Sequence, residues 1–335
     1  MHKLTVITLL LSFLLFGCKK KTNSSTPTSV TVYVSGYEKV GASYIAKYWK
    51  NGVENILAGG GVANGIFVSG SDIYVCGQQF NGAITTAKYW KNGTVINLTN
   101  GTNSAVANAI TVVNNNIYVA GWEQIGGVKI GKYWKNGVET IIANNNEDLE
   151  VNSIFVTPTN DIYIAGVTYN NATYHSKIFK NGTGTQLESS SKSSSAYSVF
   201  VNGSDVYVAG RNTLVTQGLA SYWKNGSATS LTTDTRPETV RSVIVSGAYV
   251  YASGSRLNAS GNYETRYWKN GLATSLTTGA TDAEAFSIAL NGSDIYLAGY
   301  ENSGSTAVAK FWKNGTATNL STGANLSKAT GIVVN

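Results

Sequence analysis

Short apolar runs alternate with turn-forming residues along most of the chain, and the Leu-, Glu-, Lys- and Ala-rich patterns typical of long helices are missing. Residues 64–98 illustrate the pattern. They predict strands at 65–68, 73–77, 87–90 and 95–98, separated by polar turns. Asn92-Gly93 lies between the last two strands and favours a two-residue hairpin with positive φ at both residues. The pattern therefore predicts an all-β protein with many short strands.

This four-strand unit is repeated, as two independent columns of aromatic residues show. The first column lies in phrases like Tyr-Trp-Lys-Asn-Gly, at intervals of 41 to 45 residues: Trp49, Trp90, Trp134, Phe179, Trp223, Trp268 and Trp312. The second lies in phrases like Ile-Tyr-Val-Ala-Gly: Tyr33, Tyr74, Tyr118, Tyr163, Tyr207, Tyr251 and Tyr296. Seven copies of a four-strand unit predict a seven-bladed β-propeller with four-stranded blades.

The ends of the repeated region predict how the ring closes. The chain enters at the second strand of a unit (residues 32–36) and finishes with residues 329–334, which match the first strand of the others. We expect the C-terminal strand to complete the first blade, which also removes an exposed sheet edge.

The first 29 residues have a different character. Residues 1–17 have a positive start and an apolar run too short to span a bilayer, as in a signal peptide. Leu15-Phe16-Gly17-Cys18 resembles the lipobox of bacterial lipoproteins, which implies acylation of Cys18; an ordinary secretory signal with an incidental cysteine is the alternative. Residues 18–29 would carry the lipid and a flexible tether, and 30–335 the propeller. Within that family, Lys19 rather than Asp after the cysteine implies the outer membrane of the bacterial cell envelope, on its periplasmic or exposed side.

The repeat also resembles a known family. Its Gly, Ala-x-x-Trp-x-x-Gly and Leu positions are similar to those of HAF-type extracellular repeats, over residues 30–335. The resemblance implies an exported propeller and says little about its ligand.

The repeat explains much of the positive charge and several residues that otherwise suggest chemistry. The net charge is +7, but 13 of the 25 basic residues belong to two repeat columns, the hairpin lysine and the position two before the aromatic residue. We interpret these cations as solvated strand ends, some of them stacked on neighbouring rings. Cys76 occupies a column of small residues, and the turn aspartates Asp72, Asp161, Asp205 and Asp294 are expected to bond turn backbone. No nucleic-acid motif accompanies the charge, so a nucleic-acid partner is not predicted.

Functional residues are expected where the repeats differ. The connections at one end of the blades are uniform, whereas those between the second and third strands, and between blades, vary; we call this end the variable face. The candidate ligand-binding residues on it comprise an aromatic and acidic group and three arginines: Tyr37, Glu38, Gln78, Gln79, Phe80, Trp122, Glu123, Tyr300 and Glu301, with Arg211, Arg241 and Arg256. We expect the two groups to form opposite arcs.

Rings beside carboxylates and amides suit either a polysaccharide or a protein partner, and the sequence leaves both open. We predict a non-catalytic binding or scaffold propeller with no catalytic residue, metal or cofactor, held at the membrane by the lipid on Cys18. The alternative is a glycoside hydrolase using two of Glu38, Glu123 and Glu301. His175 is expected in an exposed loop without a catalytic partner.

Overall fold

The computed structural model describes residues 30–335 except 143–146, 171, 190–191, 215–216 and 233–234. These residues form 28 strands and no helix, arranged as seven four-stranded antiparallel sheets. The protein is a seven-bladed β-propeller, as the repeat predicts. The predicted signal peptide, Cys18 and tether lie outside the described residues. No described segment is a helix long and apolar enough to cross a membrane.

Each blade contributes four consecutive strands, except that the first blade takes one strand from the C-terminus. Blades 1 to 3 contain β1 (Val32–Val40), β2 (Ser43–Lys50), β3 (Val53–Ile56), β4 (Val62–Ser69), β5 (Asp72–Asn81), β6 (Ile84–Lys91), β7 (Thr94–Asn97), β8 (Ala105–Val113), β9 (Asn116–Ile125), β10 (Val128–Lys135) and β11 (Val138–Ile141). Blades 4 and 5 contain β12 (Asp148–Val156), β13 (Ile162–Asn170), β14 (Thr173–Lys180), β15 (Thr183–Gln186), β16 (Ser194–Asn202), β17 (Asp205–Leu214), β18 (Gln217–Lys224) and β19 (Ser227–Ser230). Blades 6 and 7 and the closing strand contain β20 (Glu238–Ser246), β21 (Tyr249–Leu257), β22 (Tyr263–Lys269), β23 (Leu272–Ser275), β24 (Ala283–Asn291), β25 (Asp294–Ser303), β26 (Thr306–Lys313), β27 (Thr316–Asn319) and β28 (Leu326–Val334).

The ring closes as predicted, because β28 pairs antiparallel with β1 and the first sheet has the order β28-β1-β2-β3. Thr31 and Asn335 add two backbone hydrogen bonds, of 2.8 and 3.0 Å. The two ends of the propeller are thus adjacent in one sheet, and β1 has a partner strand on each side.

The strands are longer than predicted. In blade 2, β5 continues to Asn81 and β6 begins at Ile84, so only two residues join them. The alternation of apolar and polar residues stops earlier because the ends of these strands are partly solvated, but the backbone ladder does not need apolar side chains to continue. The predicted variable loop is therefore mostly strand.

The core lies between neighbouring blades. The repeated tryptophans and Phe179 are at most 2% exposed. Trp90 packs with Tyr33, Ala46 and Leu57 of the preceding blade, and its Nε1 donates a 2.8 Å hydrogen bond to the Ala58 carbonyl. Each large ring therefore seals one interface between blades.

The uniform turns are held by side chains of the same blade. In all seven hairpins Asn and Gly have positive φ, near 50° at Asn92 and 82° at Gly93, as predicted. The Asn92 Oδ1 accepts a hydrogen bond from the backbone N–H of Ile73, and Lys91 lies over the Tyr74 ring at 5.4 Å. The corresponding lysine lies over the corresponding tyrosine in every blade. Stacking thus accounts for the hairpin column of positive charge.

Two expectations about polar residues need correction. The hydrogen bonds shown for the Asp72 carboxylate go to the Asn92 side chain at 2.8 Å, the Lys91 ammonium at 2.9 Å and the Tyr74 hydroxyl, rather than to turn backbone. His175 lies in β14 and is 9% exposed, so it is not in an exposed loop. Cys76 is fully buried as predicted, and burial raises the pKa of its thiol to about 12.

Candidate functional site

Every inner strand carries a β-bulge at the same place. One residue per blade has no partner on the neighbouring strand, and it directly follows the residue that pairs with the glycine ending the Ile-Tyr-Val-Ala-Gly phrase. In blade order these seven residues, which we call the bulge ring, are Thr330, Asn64, Asn108, Asn152, Tyr197, Arg241 and Phe286. All seven line one central cavity of about 500 Å³, which we call the channel.

The glycine opposite each bulge is required by a close approach of backbone. A Cβ built on Gly121 would lie 1.9 Å from the Val106 carbonyl oxygen, and the other six equivalent positions place it 1.8 to 2.7 Å from the matching carbonyl. Only glycine allows this approach. The glycine column therefore fixes the bulge, and the bulge directs one side chain per blade into the channel.

Four members of the bulge ring form a polar half. Each donates a side-chain hydrogen bond to a backbone carbonyl of the next blade: Thr330 to Ala63 at 2.7 Å, Asn64 to Ala107 at 3.0 Å, Asn108 to Val151 at 2.7 Å and Asn152 to Ala196 at 2.9 Å. These bonds tie blades 1 to 5 together around the channel. The Asn64 amide also donates to the Asn108 Oδ1 at 3.3 Å, and an amide oxygen can accept a second hydrogen bond, so the polar half offers acceptors to a ligand in the channel.

The other three members break this pattern and form a cationic and aromatic half. The Arg241 guanidinium lies 4.8 Å from the centre of the Tyr197 ring and 5.9 Å from that of Phe286. These rings hold the guanidinium between blades 5 and 7. Arg241 also meets the Glu284 carboxylate at 3.4 Å, while its buried Nε has no hydrogen-bond partner in the described part of the chain.

A second cation lies beside this half. The Lys328 Nζ lies 3.9 Å from the centre of the Tyr300 ring and 5.9 Å from that of Phe286. Tyr300 in turn donates a 3.0 Å hydrogen bond to Glu284. Among the described residues that line the channel, Arg241 and Lys328 are the only charged ones, so the charge exposed at its wall is positive.

Burial shapes the ionisation of these groups. The pKa of Lys328 is lowered mainly by burial and further by the positive charge of Arg241, whereas Glu284 and Asp282 act in the opposite direction. The pKa of Tyr300 is raised by burial and then by the nearby negative charge of Glu284. Ionisation of Tyr300 is thus disfavoured, and its hydroxyl remains a hydrogen-bond donor to Glu284. Because Lys328 is buried, its ammonium group is poorly hydrated, and its attraction for an anion that enters the channel is stronger than in water.

The predicted aromatic residues have separate positions. Tyr37 lines the channel. From it an aromatic strip continues outward through Tyr44, at 5.7 Å between ring centres, to Phe80, at a further 4.9 Å. Tyr300 lies beneath Lys328, whereas Trp122 does not line the channel and is covered by Lys129 at 4.7 Å. The structure therefore places Tyr37 in the lining of the channel and Tyr300 behind it in contact with Lys328, whereas Trp122 lies elsewhere.

The predicted acids pair with lysines of their own blade. Glu38 pairs with Lys47, Glu123 with Lys132 at 2.5 Å and Glu301 with Lys310 at 2.6 Å. These lysines stand opposite the strand glycines in the pairing register. Gln79 accepts from Lys88 in the same way, and Gln78 accepts a 2.7 Å bond from Asn64 beside the channel.

These lysines correct the expectation that their column is made of solvated strand ends. Lys47, Lys88 and Lys132 are 4%, 2% and 2% exposed. Burial alone would lower the pKa of Lys132, but the carboxylates of Glu123 and Glu139 raise it. The acids are thus counter-ions of buried lysines within the blades.

The three predicted arginines do not share one surface. Arg241 enters the channel, whereas Arg211 is exposed. Arg256 lies 3.6 Å from Glu238, which also pairs with Arg266 at 2.9 Å. The channel combines one of these arginines with residues that the sequence analysis did not select, namely Tyr197, Phe286, Lys328 and the three asparagines.

One signal in the sequence could have located the bulge ring. The seven residues form a column directly before a small residue, Gly, Ala or Ser, in every inner strand. Asn, Asn, Asn and Thr at four copies and Tyr, Arg and Phe at three would have marked where the blades diverge.

The described residues contain no group of three or more His, Cys, Asp or Glu side chains able to hold a metal ion. Of the residues proposed for catalysis, Glu38, Glu123 and Glu301 each lie on a different blade and in contact with a different lysine. The geometry offers binding groups in the channel, and we derive no reaction step from it.

Comparison with known proteins agrees with the fold. No protein-family model and no curated sequence matches the chain. A puromycin-hydrolyzing peptidase from Mycobacterium tuberculosis has a TM-score of 0.55 at 9% identity, over 86% of this chain and 53% of its own. An acylaminoacyl peptidase from Pyrococcus horikoshii has a TM-score of 0.54 at 12% identity, over 88% and 50%.

TolB from Acinetobacter baumannii aligns over 89% of this chain and 83% of its own, at 10% identity and a TM-score of 0.49. The chain spans about half the length of the two peptidases. At these identities the likeness concerns the propeller fold alone.

Proposed function

We propose that the protein is a binding propeller of the bacterial cell envelope, anchored through a lipid on Cys18, which takes its ligand in the channel. The observation that carries the proposal is the asymmetry of the bulge ring. Four blades use this position to tie the ring together, whereas Tyr197, Arg241 and Phe286 replace those ties with rings and a cation that face the cavity. Such departures from a repeated scaffold are where binding specificity concentrates.

The paired carboxylates do not favour the hydrolase alternative. Each candidate acid has its own lysine counter-ion, and similar surroundings oppose the divergent pKa values that a catalytic acid and base require. Binding of a protein partner or a polysaccharide in the channel needs no such pair.

The test replaces the three exceptional residues of the bulge ring with the asparagine that three other blades carry there. We expect the triple variant Tyr197→Asn, Arg241→Asn, Phe286→Asn to fold, because asparagine already occupies this position in three blades. Immobilised full-length protein and variant would be exposed to purified envelope polysaccharides and envelope proteins, and retention compared. The wild type should retain a ligand that the triple variant loses.

The matched control is Trp122→Ala, which alters an aromatic residue of the variable face outside the channel. It should retain the ligand. Equal retention by the wild type and the triple variant, or loss in the Trp122→Ala protein alone, contradicts the channel as the binding site.

The anchor is tested separately. Metabolic labelling with a radioactive fatty acid should mark the wild type and not the Cys18→Ser variant, and labelling that survives this substitution excludes Cys18 as the acylated residue.

A further inference from the structure

Resting on the proposed function, we propose that the ligand is an acidic polysaccharide, with the carboxylate of a uronate unit held by Lys328 and Arg241 inside the channel. The charge of the channel, the polarity of its opposite wall and the aromatic strip that leads away from it each support this ligand.

The positive charge at the channel wall favours an anionic ligand. Arg241 and Lys328 are the only charged side chains among the described residues that line the channel. Lys328 meets rings rather than a carboxylate among the described residues, and the Arg241 Nε is buried without an acceptor. Glu284 contacts Arg241 and accepts from Tyr300, and together with Asp282 it acts electrostatically on Lys328, but neither acid is shown in an ion pair with the Lys328 Nζ. A ligand carboxylate would complete the set with charge-assisted hydrogen bonds.

The polar half of the bulge ring, on the opposite wall of the channel, favours a ligand rich in hydroxyl groups. Asn64, Asn108 and Asn152 line the channel, and each donates an N–H group to a backbone carbonyl. The Asn108 Oδ1 also accepts from Asn64 at 3.3 Å, and each amide oxygen has two lone pairs, so these side chains can still accept from a ligand. A sugar ring offers several O–H donors around its edge and a C–H face. Phe286 and Tyr37 line the channel with aromatic surface that suits such a face.

The aromatic strip indicates a chain rather than a single sugar. Tyr37 lines the channel, and Tyr44 and Phe80 line a second cavity of about 520 Å³ between blades 1 and 2. Ring centres 5.7 and 4.9 Å apart join the two cavities. Three successive glycines, Gly59 to Gly61, form one wall of this second cavity. All three have positive φ, which favours glycine, and the absence of side chains keeps this wall open. An oligosaccharide can thus extend from the channel to the rim along one row of rings.

The experiment compares acids with their methyl esters, which keep the sugar and remove the charge. Trimers of galacturonate, glucuronate and mannuronate, and the methyl esters of each, would be titrated into the full-length protein by calorimetry at pH 7. We expect at least one acid to bind about tenfold more tightly than its ester, because a hydrogen bond to a charged group contributes that much.

Variants assign the effect to the channel. Lys328→Met should remove the preference for the acid and leave the weaker binding of the ester. Lys50→Met is the matched control, since it removes the same charge from the same blade at a hairpin, where the lysine lies over Tyr33. It should leave both affinities unchanged. Phe80→Ala should weaken the trimer by several-fold and leave the monosaccharide uronate unaffected.

Affinity for the acid should also fall as the pH rises through the lowered pKa of Lys328, while that for the ester stays flat. Arg241, Glu284, Asp282 and Tyr300 are the other charged or titratable groups facing it. Of these, Arg241 remains charged throughout this range.

Equal binding of acid and ester, or equal losses in Lys328→Met and Lys50→Met, overturns the uronate proposal and leaves the channel as a binding site. If no uronate binds, while the triple bulge-ring variant still loses an envelope ligand, the proposed function stands and the ligand class is wrong. If that variant loses nothing, both proposals fall.

Discussion

At the scale of single residues, the same residue type has different tasks in different columns. Hairpin lysines such as Lys135 are exposed and lie over tyrosine rings, whereas Lys132 is buried between two carboxylates and Lys328 faces the channel. Glycine likewise has different roles at different positions of the repeat. Gly93 supplies a positive φ, and Gly121 supplies the absence of a Cβ at a bulge. Residue identity alone therefore does not give the role.

The bulge glycines make a sharp prediction. Gly121→Ala places a Cβ 1.9 Å from the Val106 carbonyl oxygen, so the inner strand of blade 3 must shift. We expect the free energy of unfolding to fall by about 3 kcal/mol or more, at the upper end of the range for overpacked cores. Denaturant unfolding followed by tryptophan fluorescence measures it.

Gly218→Ala is the matched control. Its Cβ would meet only the flexible Arg211 side chain, at 3.4 Å, and it has no positive φ. Its stability should stay within about 0.5 kcal/mol of the wild type. Equal stability of the two variants would show that the close approach is not required.

At the scale of elements, the turn before the second strand and the hairpin after the third form one unit. Asp72 accepts from the Asn92 amide and pairs with Lys91, and the same arrangement recurs at Asp161, Asp205 and Asp294. In blade 3, Asn116 replaces the aspartate and still accepts a 2.9 Å bond from Asn136. The amide thus keeps the geometry without the charge.

This natural replacement predicts a pH effect. Hydrogen bonds from the hairpin asparagines and lysines lower the pKa of all four aspartates. A lowered folded pKa gives stability that is present above the ordinary aspartate pKa of about 3.9 and is lost as the pH falls below it. We expect the quadruple Asp→Asn variant to be less stable than the wild type at pH 7, with a difference that shrinks as the pH falls through 4.

Melting temperatures from pH 7 down to pH 3 test this effect. Because the pairs are exposed, added salt should also reduce the difference at pH 7. A difference independent of pH would mean that the charges of these aspartates do not stabilise the turns.

At the scale of the whole molecule, closure through β28 holds the ring together. β28 pairs with β1 along most of its length, and Ile332 and Ala329 pack in the cluster that contains Trp49. Without β28, one inner edge and one interface between blades would be exposed to solvent.

Closure can be separated from chain order by experiment. Deletion of residues 326–335 should abolish cooperative unfolding and promote aggregation. A circular permutant that joins Asn335 to Thr31 through a short linker, and opens the exposed turn at Gly292-Ser293, should fold, because those ends already share two hydrogen bonds. Thermal unfolding and size-exclusion chromatography compare them; a well-folded truncation or an unfolded permutant contradicts the role assigned to β28.

The sequence predicted the blade number, the hairpins and the closing strand because these depend on local turn chemistry and on a period visible in the chain. Asn92-Gly93 needs no distant contact to form its turn. The expectation of two facing arcs depended on where side chains point, and there local alternation was insufficient. One extra residue in each inner strand changes the alternation of faces, so Arg241 enters the channel while Arg256 joins Glu238 within its blade.

The sequence by itself thus determined the architecture, seven blades closed by the last strand, since every copy repeats the same local information. Only the tertiary structure decided the site. The bulge ring exists because seven inner strands converge on one axis, and Lys328, Tyr300 and Glu284 meet Arg241 across two blade boundaries. The acids proposed as ligand-binding residues became counter-ions, because the lysine opposite each strand glycine could reach them only after the strands had paired.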